Sequence, residues 1–97
     1  MNEPFTLEII TPHQPVFKKE VLYVRVPGVT GEMGIYANHT PLLAILAEGN
    51  VIYEDAAEIE SDPVLIQGGF LEVLTDKVTI LNSPTTLNHD ETNDLSN

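Results

Sequence analysis

The chain has 97 residues, enough for one hydrophobic core and too few for two, and its 42% hydrophobic and 20% charged content is that of an ordinary globular domain. Fifteen acidic against four basic residues give a formal charge of −11, which disfavours nucleic acid and anionic lipid as direct partners; solubility is its first meaning and complementarity to a basic protein partner the more specific one. With no cysteine, thiol chemistry, disulfides and Cys-based metal sites are excluded, and no stretch approaches the roughly 18 apolar residues of a membrane span.

The first predicted strand is Phe5-Thr6-Leu7-Glu8-Ile9-Ile10, with Phe5, Leu7 and Ile9 on one face, broken at Thr11-Pro12. After the apolar pair Val16-Phe17, the run from Val21 to Val26 alternates again. It places Leu22, Val24 and Val26 inward and Tyr23 and Arg25 outward, and Pro27-Gly28 is expected to turn the chain. Gly31 and Gly34 frame a second expected corner, followed by short runs at Ile35-Tyr36, Leu42 to Leu46 and Val51 to Glu54. Pro41 to Leu46 is the one stretch that could be helical, but it is too short to outweigh its neighbours. Val64-Leu65-Ile66-Gln67 leads into Gly68-Gly69, and Phe70 to Leu74 and Val78 to Leu81 read as a tight hairpin about Thr75-Asp76-Lys77. Many short strands punctuated by Gly and Pro specify an all-β antiparallel sandwich or barrel over residues 1–82. Residues 83–97 carry only two leucines among polar and acidic residues and are expected to form a disordered tail.

No catalytic constellation emerges. His13, His39 and His89 lack metal-ligand spacing, no Gly-x-Ser-x-Gly elbow surrounds Ser61 or Ser83, and scattered acids are the usual solvated face. Gly68-Gly69 has no accompanying lysine and no following helix, so it is expected to be a structural turn, bending a strand from one sheet to the other, and not a phosphate loop. No metal, cofactor or small-molecule ligand is therefore expected.

Seven segments, in order, resemble the epsilon subunit of F-type ATP synthases, called delta in mitochondria. They are Leu7-Glu8-Ile9-Ile10-Thr11-Pro12, Val16-Phe17, Val26-Pro27-Gly28, Gly31-Glu32-Met33-Gly34-Ile35, His39-Thr40-Pro41-Leu42-Leu43, Gly68-Gly69-Phe70-Leu71-Glu72-Val73 and Val78-Thr79-Ile80-Leu81. The resemblance implies a ten-stranded β-sandwich in the central stalk, non-catalytic, bound to the gamma subunit and resting on the c-ring. It implies a peripheral membrane protein on the cytoplasmic side of the cell membrane, coupling proton-driven rotation to ATP synthesis. It also implies c-ring contacts at Glu32 and His39. Ala37-Asn38 stands where the family often has Pro-Gly, Asn keeping the turn propensity. The helical hairpin that follows the sandwich in most bacterial members has no counterpart here, because residues 83–97 offer no amphipathic stripe, so helix-mediated inhibition of ATP hydrolysis is not expected. The alternative is a small sandwich module for carbohydrate or peptide, which the absence of tryptophan disfavours.

Without a phosphate loop or the family's C-terminal nucleotide motif, the chain is expected not to bind ATP. Calorimetric titration should give no saturable heat at millimolar ATP, and a specific site would contradict the reading.

Overall fold

Apolar alternation becomes strand along most of the chain. The structure, a computed structural model, describes residues 3–84. Eight strands form in order: β1 (Phe5–Ile10), β2 (Phe17–Gly28), β3 (Gly31–Ile35), β4 (Leu42–Leu46), β5 (Gly49–Asp55), β6 (Val64–Ile66), β7 (Gly69–Val73) and β8 (Lys77–Asn82). No described residue is helical, and the stretch open to a helical reading is β4.

The strands hydrogen-bond along the path β1-β8-β7-β4-β2-β5-β6, with β3 and β1 also paired to β2. Register shows how this path makes two layers. The first part of β2 lies against β1, with Phe17 opposite Ile9 and Val21 opposite Phe5. Its last part lies against β3, with Val24 opposite Ile35 and Gly28 opposite Gly31. One layer is thus the start of β2 with β1, β8, β7 and β4, and the other is β3, the end of β2, β5 and β6. Among the described residues eight strands do this where the resemblance implied ten; the twelve residues of β2, which serve both layers without a break, account for one of the two. The sandwich is mainly antiparallel, but β1 and β8 run parallel, with Leu7 beside Val78 and Ile9 beside Ile80.

Between the layers lies one core to which all eight strands contribute, including Leu7, Val24, Ile35, Leu46, Val51, Ile66, Leu71 and Ile80. At roughly 1.5–3 kcal/mol for each fully buried aliphatic side chain, this burial is the main favourable term. Phe5, Leu7 and Ile9 point inward as their alternation requires. Strict alternation fails once, where Val21 and Leu22 are both buried, because the register of β2 against β5 shifts between Val21 and Tyr23. A β-bulge gives one extra residue to a strand and turns it, which is how β2 passes from one layer to the other.

Two expected turns are strand instead. Pro27-Gly28 continues β2 and the chain reverses at Val29-Thr30. Pro27 is tolerated because its carbonyl accepts from the Ala47 amide at 2.7 Å on the side facing β4, where strand pairing is confined to Gly28 with Leu46, so no ladder bond needs its missing N–H. Gly31-Glu32-Met33-Gly34 is the body of β3, not a corner. Gly34 serves packing: a Cβ there would meet the Tyr23 ring, which leans across it and pairs with Tyr36 at 4.8 Å. By contrast Thr75-Asp76 closes the β7–β8 hairpin as expected, with the Leu74 amide bonded to the Lys77 carbonyl at 2.8 Å.

Gly68-Gly69 joins β6, which pairs with β5, to β7, which pairs with β4 and β8. Both glycines have φ near +120°, and a Cβ on Gly69 would collide with the Leu81 carbonyl oxygen of β8. Asn82 ties the same place from outside, accepting from the Gln67 amide at 2.8 Å and donating to Thr11 Oγ1 at 3.2 Å, while the Ser83 amide bonds the Gly68 carbonyl. The assignment of residues 83–97 to a disordered tail falls, from residue 85 on, outside the described residues.

Gly69→Ala is expected to lower unfolding stability by about 3 kcal/mol or more, since backbone clash adds to a disallowed φ. Gly31→Ala, with φ of +133° but nothing within 4 Å of its Cβ, should lose only about 1–2 kcal/mol. Urea unfolding of the two variants tests the difference, and equal losses would show that φ alone, not the Leu81 contact, governs the site.

Candidate functional site

Side chains that the sandwich does not need for its own core form three surface features. The first is the β2–β3 hairpin. Gly28 and Gly31 face each other across it so closely that a Cβ on Gly28 would lie 2.7 Å from the Gly31 carbonyl oxygen. Glu32, the next residue, stands opposite Pro27 with its side chain 68% exposed. Its only ion-pair partner among the described residues is Arg25, with Nε to Oε1 at 3.7 Å. That distance is too long for a strong hydrogen bond, so Glu32 is held loosely on a rigid support.

The second feature is the β3–β4 loop. Asn38 adopts φ of +64°, the left-handed conformation a glycine would supply, and its amide bonds the Thr75 carbonyl at 3.0 Å. Its side chain also donates to Glu3 at 3.3 Å. Asn38 thus keeps, with a side chain that tolerates it, a turn conformation that glycine adopts most readily. His39 Nδ1 lies 2.7 Å from the Thr40 carbonyl. Because a carbonyl can only accept, Nδ1 carries the proton, and in the neutral ring Nε2 is left as an acceptor. Glu32 and His39 are not neighbours. The Glu32 hairpin is tied to the end of β4 through Val29 and Ile45, whereas His39 precedes its start near Thr75.

The third feature was not read from the sequence. The outer face of β2-β1-β8-β7-β4 divides in two. Toward β1, Glu8, only 16% exposed, holds Lys77 at 3.3 Å and Lys18 at 3.8 Å, and Thr6 donates to Glu20 at 2.7 Å. Toward β4 the outward residues are mostly apolar: Ile45, Phe70 and Leu81 stand side by side across three strands, with Leu43 one row away at 77% exposure and Glu72 beside it. A signal for this face was present, since Leu42-Leu43-Ala44-Ile45-Leu46 is apolar at every position and a strand has only one side facing its core.

Gly68 and Gly69 are buried within the sandwich and form no part of these surfaces. Among the described residues no polar or charged side chain is buried and no three His, Asp or Glu side chains converge as metal ligands. What the surface offers is contact: a loosely paired carboxylate, a fixed loop and an apolar sheet face.

The sequence model of one protein family, described as "ATP synthase, Delta/Epsilon chain, beta-sandwich domain", matches residues 4–85. The chain belongs to this family. Among curated relatives, the ATP synthase epsilon chain of Maridesulfovibrio salexigens is 43% identical over 81 residues, which is 84% of this chain and 56% of that protein. The epsilon chain of Bacillus thuringiensis is 43% identical over 79 residues, 81% of this chain and 58% of that one. The delta/epsilon sandwich thus spans less than two thirds of these relatives' length. The fold recurs in a Euglena gracilis mitochondrial ATP synthase structure described as OSCP/F1/c-ring, with TM-score 0.75, 24% identity, and coverage of 96% of this chain and 59% of that one. It recurs also in the Tetrahymena thermophila mitochondrial ATP synthase central stalk and c-ring, with TM-score 0.69, 14% identity, and coverage of 93% and 74%.

For this delta/epsilon sandwich, Glu32→Ala and Arg25→Ala should each change the unfolding free energy by no more than about 0.5 kcal/mol, as for other exposed ion pairs. Thermal melts of both variants check this, and a large drop would make the pair structural.

Proposed function

We propose that the chain is the sandwich of a central-stalk (rotor) subunit of F-type ATP synthase. It binds the gamma subunit and the c-ring and turns with them, transmitting proton-driven rotation to ATP synthesis while catalysing nothing itself. The observation that carries this reading is the family match across the whole sandwich, residues 4–85. The geometry suits the role, because a part that transmits torque needs a stiff body with its contacts on anchored loops. Among the described residues no helix is long and apolar enough to cross a membrane, and the proposed place is peripheral, on the cytoplasmic side of the cell membrane.

Within this reading Glu32 and His39 are the c-ring contacts. One loop of the ring cannot meet both, since they lie at opposite ends of β4, a strand about 13 Å long at ~3.3 Å per residue step. In a ring of identical subunits two neighbouring copies can. Glu32 would exchange Arg25 for a basic group on a ring loop, and His39 would offer Nε2 to a donor.

Glu32→Ala is expected to lower the protons pumped per ATP hydrolysed when the variant is reconstituted with the rest of the enzyme in vesicles. Binding to gamma should persist, because that contact uses a different surface. Unchanged coupling in a fully assembled enzyme would remove Glu32 from the ring contact, and failure to assemble with gamma at all would overturn the stalk role.

A further inference from the structure

The outer sheet face next to β1 satisfies its charges internally, whereas on the half over β4 and β7 the apolar groups are left uncovered among the described residues. There two adjoining hollows of about 330 and 360 Å³ run along the strands, the first over Leu43, Ile45 and Phe70, the second over Leu43, Glu72 and Leu74. Glu72 sits in the middle, opposite Leu43 on one side and Thr79 on the other. Among the described residues it has no cation within ion-pair distance, and Lys77 of the adjoining strand is taken by Glu8. We propose that this groove receives an amphipathic helix of a neighbouring subunit, one whose apolar stripe is interrupted by a lysine or arginine that meets Glu72. The inference draws on the stalk role only for the source of the helix.

The occupant is a helix because the face is the middle of a sheet. The backbone groups of β7 are committed to β4 and β8, so an added strand would find no free edge there, whereas a helix needs only side chains to pack on. The five residues of β4 span about 13 Å, the length of about nine helical residues, or two and a half turns. The helix must be basic at its centre because covering Glu72 with apolar groups alone would strip it of water without compensation. A second copy of this chain fits badly. A two-fold contact on the groove would bring Glu72 toward its own symmetry mate, between bodies that each carry a formal charge of −11.

The test uses the full chain, isotopically labelled, titrated with two synthetic helical peptides. One has a leucine stripe with a central lysine, and its twin has glutamate in place of that lysine. The lysine peptide should shift the amides of β4 and β7 and bind about fivefold or more tightly than its twin, as an ion pair of this kind allows. Glu72→Lys should reverse the preference, with an unchanged melting temperature confirming that the variant is folded. Equal binding of both peptides, no binding, or shifts centred elsewhere would overturn the proposal. So would dimerisation of the chain abolished by Phe70→Ser, or movement of the same amides when residues 85–97 are removed, since each would name a different occupant. The titration needs no other subunit, so it can fail while the coupling experiment succeeds, and the reverse.

Discussion

Everything in this domain hangs on β2. A sandwich of fewer than a hundred residues cannot afford separate scaffolds for its two layers, and here one strand of twelve residues is hydrogen-bonded into both. The bulge at Leu22 makes that sharing possible by letting the strand turn while Val21, Val24 and Val26 all stay in the core. Within the layer that holds β1, β8, β7 and β4, the parallel pairing of β1 with β8 joins the two ends of the described chain. Because first and last strands are neighbours, opening either end disrupts the same layer.

That arrangement explains why the surface loops are well placed. The β2–β3 hairpin continues the shared strand, so Glu32 is referred directly to the core through Val26 and Ile35. The β3–β4 loop is pinned by Asn38 to the β7–β8 turn, at the other end of β4. In the proposed stalk role both would matter, since a contact that must bear torque loses precision if its loop has to be ordered on binding.

Charge is distributed with the same economy. Three of the four basic residues, Lys18, Lys19 and Lys77, lie on β2 and β8 on either side of β1, and two of them hold Glu8. The remaining one, Arg25, is beside Glu32. Over β4 and β7 the described surface carries the apolar cluster of Leu43, Ile45 and Phe70. A partner of the proposed kind would offer basic groups and a nonpolar stripe together, a combination found on protein surfaces rather than on phosphate backbones.

The sequence by itself determined the strands. Phe5, Leu7 and Ile9 alternate cleanly, Gly68-Gly69 marks the crossing between layers, and Thr75-Asp76 marks the last hairpin, because period and turn chemistry are local properties of the chain. The ordered succession of family-like segments, from Leu7 to Leu81, carried the family as well. Local pattern misled where tertiary contact overrode it: Pro27-Gly28 and Gly31 to Gly34 look like turns but are strand, held there by the pairing of β2 with β3 and by the Tyr23 ring over Gly34. Only the tertiary structure decided that β1 pairs with β8 in parallel, that Glu32 and His39 stand apart, and that Leu43, Ile45, Phe70 and Leu81 share one outer face. Which strands lie side by side depends on contacts between residues as far apart as Leu7 and Val78, and the period of a strand shows which side chains share a face but not what lies across from them.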